Sequence, residues 1–183
     1  MDDKSYAQFG EDLIIRELFD RIGAVNRWCF EVGANDGVTN SNTLIFRHDD
    51  WSAVLAESDA ALFAKLNETT KSEPKSYAVW ETVTDLDSLL ARHNAPTNLD
   101  LGVIDIDGDD YWLWHGMTKY RPRVLLVEFS PYVKSAGFDP DNPIPRGENK
   151  GRQTARQPTL DLAADKGYTL VAETFCNLLF VQG

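Results

Sequence analysis

Cysteine, methionine and histidine are scarce in this chain, with two, two and three copies among 183 residues. Two cysteines are too few for a disulfide scaffold. Cys29 and Cys176 both stand in apolar, strand-like runs, where buried free thiols in a reducing compartment are expected. No Cys/His spacing matches a zinc site. Basic residues are outnumbered, 18 against 29 acidic, and the net charge of −11 argues against a general binder of nucleic-acid backbones. Long apolar runs are missing, so no membrane-spanning helix is expected. Met1-Asp2-Asp3-Lys4 lacks the basic and apolar regions of a signal peptide, and a cytoplasmic protein is expected. There is no Gly-x-Ser-x-Gly elbow and no Walker lysine after a glycine turn, which removes elbow-type serine hydrolases and P-loop enzymes.

What is present has an ordinary globular balance, 43% hydrophobic and 26% charged, and the length is most economically one domain over 1–183. The chain is organised around Trp28-Cys29-Phe30-Glu31-Val32-Gly33-Ala34-Asn35-Asp36-Gly37, followed by Val38 to Thr43. A short apolar run ends in a carboxylate, passes two glycines four residues apart and enters a run of N-cap types, Thr39, Asn40, Ser41 and Asn42. That is the layout of a buried parallel strand, a nucleoside- or phosphate-binding turn and a helix start; a plain βα turn is the bland alternative.

In chain order, Leu13, Ile14, Leu18, Phe19 and Ile22 predict a capped amphipathic helix within an N-terminal segment, 1–26, ending near Gly23. Strands are predicted through Gly33 and over Trp51–Glu57, Ser76–Glu81, Leu99–Asp105 and Arg123–Phe129. Helices are predicted over Asn42–His48, Ala60–Leu66, Asp85–His93, Asp109–Tyr120 and Thr159–Lys166. Tyr168–Glu173 and Asn177–Val181 are too close for a crossover helix, so this last pair should be antiparallel. The whole reads as an α/β, Rossmann-like, doubly wound, mostly parallel sheet with an antiparallel C-terminal hairpin. The segment 130–153, rich in Pro, Gly, Asn and charge, reads as a substrate loop. Arg146, Lys150, Arg152 and Arg156 offer positive charge in or next to it.

In such folds ligands sit beyond the carboxyl ends of the strands, and Glu31, Glu57, Asp105 and Glu128 all fall at those ends. Glu57 lies twenty residues after Gly37, where a carboxylate can accept from both hydroxyls of a ribose. Ile104-Asp105-Ile106-Asp107-Gly108-Asp109-Asp110 sets four carboxylates in six residues. Either a divalent cation such as Mg²⁺ on Asp105, Asp107 and Asp109 relieves the repulsion, or these residues are the acidic start of a helix. His115, in an aromatic helix, is either a packed residue or a base. A dinucleotide enzyme is disfavoured, because the turn lacks Gly-x-Gly-x-x-Gly and puts Asp36 where a pyrophosphate would sit.

Phe30-Glu31-Val32-Gly33-Ala34-Asn35-Asp36-Gly37 resembles the first motif of class I S-adenosylmethionine-dependent methyltransferases of the FkbM type. Gln8-Phe9-Gly10-Glu11-Asp12, Val54-Leu55-Ala56-Glu57, Ile104 to Tyr111, Val127-Glu128-Phe129 and the terminal hairpin are similar to further segments of that family, in order. The resemblance implies a seven-stranded methyltransferase sheet. It implies S-adenosylmethionine held by Glu31, Gly33, Ala34, Asn35, Asp36, Gly37 and Asn42, with the ribose at Glu57 and Ser58. Asp105 and Asp107 would face the methyl sulfonium, as base or metal ligand, with His115 behind them. The expected reaction is O-methylation of a hydroxyl on a sugar, a glycan or a related small molecule. A non-catalytic module that binds a nucleoside or a partner protein is the alternative, because many functions share this sheet.

Overall fold

A computed structural model describes residues 4–132 and 154–183. The chain runs α1 (Glu11–Ile22), β1 (Trp28–Val32), α2 (Leu44–His48), β2 (Ser52–Glu57), α3 (Ala60–Thr70), β3 (Ser76–Trp80) and α4 (Leu86–Arg92). It continues with β4 (Leu101–Ile104), α5 (Asp110–Gly116), β5 (Val124–Glu128), α6 (Arg156–Asp165), β6 (Tyr168–Glu173) and β7 (Asn177–Gln182). The strands form one seven-stranded sheet in the order β3-β2-β1-β4-β5-β7-β6. All neighbours are parallel except β7, which is antiparallel to both β5 and β6.

Both faces of the central strands are buried, and the period of two sorts their side chains into two cores. Phe30, Val54, Ile104, Leu125, Val127 and Phe180 pack on one side with α4, α5 and α6. Cys29, Ala53, Leu55, Val103, Leu126 and Leu179 pack on the other with α1, α2 and α3. Trp114 is fully buried in the first core, with ring centroids 5.6 Å from Tyr168 and 5.2 Å from Phe180. Full burial of so large a ring contributes about 1.5–3 kcal/mol or more. Cys29 and Cys176 are buried free thiols, and burial raises the thiol pKa of both. No helix among the described residues is long and apolar enough to cross a membrane.

Several element ends differ from the sequence reading, for physical reasons. The helix predicted to Tyr120 stops at Gly116, because Asp87 on α4 captures the backbone N–H groups of Thr118, Lys119 and Tyr120. α3 runs on to Thr70, whose hydroxyl donates to the Leu66 carbonyl. α6 starts at Arg156, with Pro158 in its first turn, where the missing N–H costs no helical bond. No side-chain hydrogen bond caps α1; Glu11 and Asp12 instead fold back to accept from Phe9 N and Tyr6 N. The predicted substrate loop falls largely outside the described residues, and with it Arg146, Lys150 and Arg152. Arg156 is paired with Glu173 through two hydrogen bonds of 2.8 and 2.6 Å.

Candidate functional site

β1 and β4 are neighbours in space but not in sequence, so their crossovers leave in opposite directions and open a crevice at their carboxyl ends. A cavity of about 600 Å³ lies there, within the ordinary range for small-molecule sites. Glu31, Glu57, Asp105 and Glu128, the four strand-end carboxylates, all line it.

The β1–β2 side is tightly hydrogen-bonded. Glu31 is buried and accepts from Asn42 N at 2.8 Å, Ser41 Oγ at 2.9 Å and Thr43 Oγ1 at 2.6 Å. Burial pushes the Glu31 carboxyl up against the opposing pull of those donors. Ser41 in turn accepts from Leu44 N at 3.2 Å, so α2 is capped from the predicted Ser/Asn run, although its formal N-cap residue is Thr43. Glu57 is buried, accepting from Asn35 N at 2.9 Å on one oxygen and Asp59 N at 2.8 Å on the other. Each oxygen keeps a lone pair for a ligand. The carbonyl oxygen of the Asn42 side chain, on a cavity-lining residue, is buried without a partner.

The two glycines of the turn serve the fold from different directions. A Cβ on Gly33, at φ +85°, would stand 1.6 Å from the Asp105 carbonyl oxygen. Only glycine lets the β1 and β4 ends approach that closely. A Cβ on Gly37, at φ +80°, would meet Leu66 of α3 at 2.8 Å.

Carboxyls face one another on the β4–β5 side. Asp105 and Glu128 interact side chain to side chain. Burial first, and the neighbouring carboxylates second, raise both, Glu128 further than Asp105. Two carboxyls so close favour sharing a proton, and the pair titrates as a unit. Asp110 is buried and closes the 105–110 turn by accepting from Ile106 N at 2.8 Å and Gly108 N at 3.0 Å. Burial raises it to about 7 despite those donors. Glu11 and Asn177 complete this side. Sequence reasoning had no local signal for Asn177, which the register of β7 against Glu128 brings in.

Of the residues expected to hold a cofactor, Glu31, Gly33, Ala34, Asn35, Asn42, Glu57 and Ser58 line the cavity. Asp36 and Gly37 are not among the lining residues. Asp36 is turned into its own loop, accepting from Val38 N and from Thr39 N and Oγ1. Burial works against its charge, but those donors win and hold its pKa low. Asp105, Asp107 and Asp109 line the cavity, whereas His115 does not; it is exposed near the end of α5, stacked on Tyr111. The metal expectation is not supported. Among the described residues no three acidic, histidine or cysteine side chains are arranged to hold an ion. The turn instead curls around Asp110, with Asp107 at φ +57°.

No family model matches the chain, and no curated protein matches it by sequence. Solved structures do match its fold. The N-terminal domain of EvdMO1, in the presence of S-adenosylhomocysteine and D-fucose, aligns with a TM-score of 0.60 at 13% identity, covering 97% of this chain and 84% of that one. Magnesium protoporphyrin IX methyltransferase (ChlM) from Synechocystis PCC 6803, with bound S-adenosylmethionine, aligns at 0.56 and 11% identity, covering 94% and 78%. A TehB-like S-adenosylmethionine-dependent methyltransferase from Corynebacterium glutamicum ATCC 13032 aligns at 0.55 and 12% identity, covering 96% and 89%. The chain has the fold of class I S-adenosylmethionine-dependent methyltransferases, reversed final strand included.

Proposed function

We propose that the protein is an S-adenosylmethionine-dependent methyltransferase of the FkbM type that methylates a hydroxyl of a sugar, glycan or related small molecule. The observation that carries this reading is the convergence of Glu31, Glu57 and Asp105 on one cavity at the β1/β4 switch point. The residues present fit the cofactor. Its sulfonium and ammonium are positive, the cavity wall is carboxylate-rich, and the buried Asn42 side-chain oxygen lacks a donor. Glu31, Gly33, Ala34, Asn35 and Asn42 would hold its methionine part, and Glu57 with Ser58 its ribose.

S-adenosylmethionine supplies, when bound, a methyl group already activated for in-line displacement. The protein contributes alignment, and positioning of this kind is worth about 7–11 kcal/mol. Asp105, raised towards neutrality by burial and by Asp107, is suited to take the proton of an acceptor hydroxyl on its carboxylate. Glu128, beside Asp105, shares the proton of the pair and so tunes how readily Asp105 accepts one. Among the described residues no donor set is arranged to hold Mg²⁺, and no step is assigned to a metal.

Calorimetric titration with S-adenosylmethionine and S-adenosylhomocysteine, with NAD⁺ as control, tests the assignment. Micromolar binding of the first two is expected, weakened on the order of 100-fold in Glu57→Ala, since two hydrogen bonds to a charged group are lost. Absence of binding by both would overturn the assignment and leave a partner-binding module.

A further inference from the structure

The cavity wall nearest β5 and β7 carries groups that the cofactor reading leaves unused. Glu128 and Asn177 are directly opposed across the antiparallel β5–β7 pair, which sets their side chains on the same face. Asn177 is only 2% exposed. Its Nδ2 donates to Glu11 Oε1 at 3.1 Å, and Thr174 Oγ1 donates to the same oxygen at 2.6 Å. Glu11 thereby fixes the amide, because a flipped amide would set two acceptors against each other. Asn177 Oδ1 is left buried with no donor, on a residue that lines the cavity. A buried acceptor of this kind favours a ligand that brings a donor to it.

The charge balance of the described residues on this wall is one-sided. Among the described residues, no lysine or arginine makes an ion pair with Glu11, Asp105 or Glu128. Next to it in sequence, Phe9 and Phe175 are 44% and 54% exposed, with centroids 5.5 Å apart, and Tyr132 stands edge-on to Phe175 at 6.1 Å. None of the three rings lines the cavity itself, but Phe9 and Phe175 stand two residues from Glu11 and Asn177, so exposed apolar faces flank in sequence the hydrogen-bond acceptors of this wall.

We infer that this wall is the acceptor subsite and that it takes an amine-bearing sugar, with the ammonium donating to Asn177 Oδ1 and Glu128 and the ring resting on the aromatic edge. The inference rests on the methyltransferase reading and sharpens it. The positive group offsets carboxylates that no lysine or arginine among the described residues pairs with, while a hydroxyl of the same ring is left to face Asp105. An N-acetylated or neutral sugar lacks that positive charge.

The test is a titration of D-galactosamine, N-acetyl-D-galactosamine and D-fucose into the full chain, with and without saturating S-adenosylhomocysteine, followed by calorimetry and by the Asn177 side-chain amide resonance. D-galactosamine is expected to bind at least roughly tenfold more tightly than the other two and to shift that resonance. Asn177→Leu and, independently, Glu128→Gln are expected to abolish the preference while S-adenosylhomocysteine still binds. Equal affinity for the three sugars, no saturable binding of the amine, or a preference that survives both substitutions would overturn the subsite. Failure of S-adenosylhomocysteine to bind would instead break the methyltransferase assignment, and the titration without it judges the subsite separately.

Discussion

The two sides of the cavity use the same residue type in opposite ways. On the β1–β2 side, Glu31 and Glu57 are surrounded by N–H and O–H donors of the protein itself. On the β4–β5 side, Asp105 and Glu128 look chiefly at other carboxyls and relieve the repulsion by keeping a proton. The first arrangement builds the turn before any ligand arrives, so its carboxylates belong to the fold as much as to the site. On the subsite proposed above, the second exchanges that proton for a ligand with positive charge or hydrogen-bond donors. Stability should therefore depend on the first side, and recognition of the acceptor on the second.

The harshest break of this contrast is Gly33→Ala, which forces the β1 and β4 ends apart. It should cost about 4 kcal/mol or more, read as a collapse of the denaturant midpoint or loss of soluble protein. Next comes Glu31→Ala, which orphans three buried donors and should cost about 3 kcal/mol in the same assay. A loss below about 1 kcal/mol would show that those donors rehydrate, and that the β1 side is less preorganised than its hydrogen bonds indicate.

Substitution on the opposite side should behave differently. Glu128→Gln is expected to leave the melting temperature unchanged or to raise it, because it removes a carboxyl held among others. The pH dependence sharpens this point. Glu31, Asp105, Asp110 and Glu128 all hold their protons more tightly in the folded chain than in the unfolded one. The native state thus binds more protons once the unfolded carboxyls have ionised. The contribution of these groups is fully present below their unfolded values and is lost as pH rises, for Asp110 through about 7. Thermal melts should show stability falling across that window, with a shallower fall in Glu128→Gln and Asp110→Asn. A slope that both variants leave unchanged would mean that other groups set it. The smallest effect belongs to His115→Ala, at an exposed position away from the cavity: stability within about 0.5 kcal/mol of wild type and unaltered cofactor affinity.

Much of this was legible before the structure. Strand-end carboxylates, alternating elements and a closing pair too tight for a crossover identify a doubly wound sheet with a reversed last strand, because local periodicity and connection length constrain that topology. The same reading placed Glu31, Glu57 and Asp105 at one end of the sheet, since parallel strands share a direction. It was silent where a residue's role depends on which way its side chain turns and on what packs against it. Asp36 stands in the middle of the motif yet turns into its own loop, and nothing in the sequence distinguishes that from a ligand contact. Gly37 resembles a ligand-approach glycine, but its space is taken by Leu66. The acidic run at 105–110 suggested an ion, whereas Asp110 accepts from Ile106 N and Gly108 N to close the turn, and burial makes it hold its proton more tightly.

The sequence by itself determined the fold class and which carboxylates gather at the carboxyl edge, because strand direction and side-chain alternation are local, periodic properties. Only the tertiary structure decided which of those carboxyls are satisfied and which are left facing one another. Hydrogen-bond partners and burial come from residues far apart in the chain, as when Asn177 meets Glu11 across 166 positions.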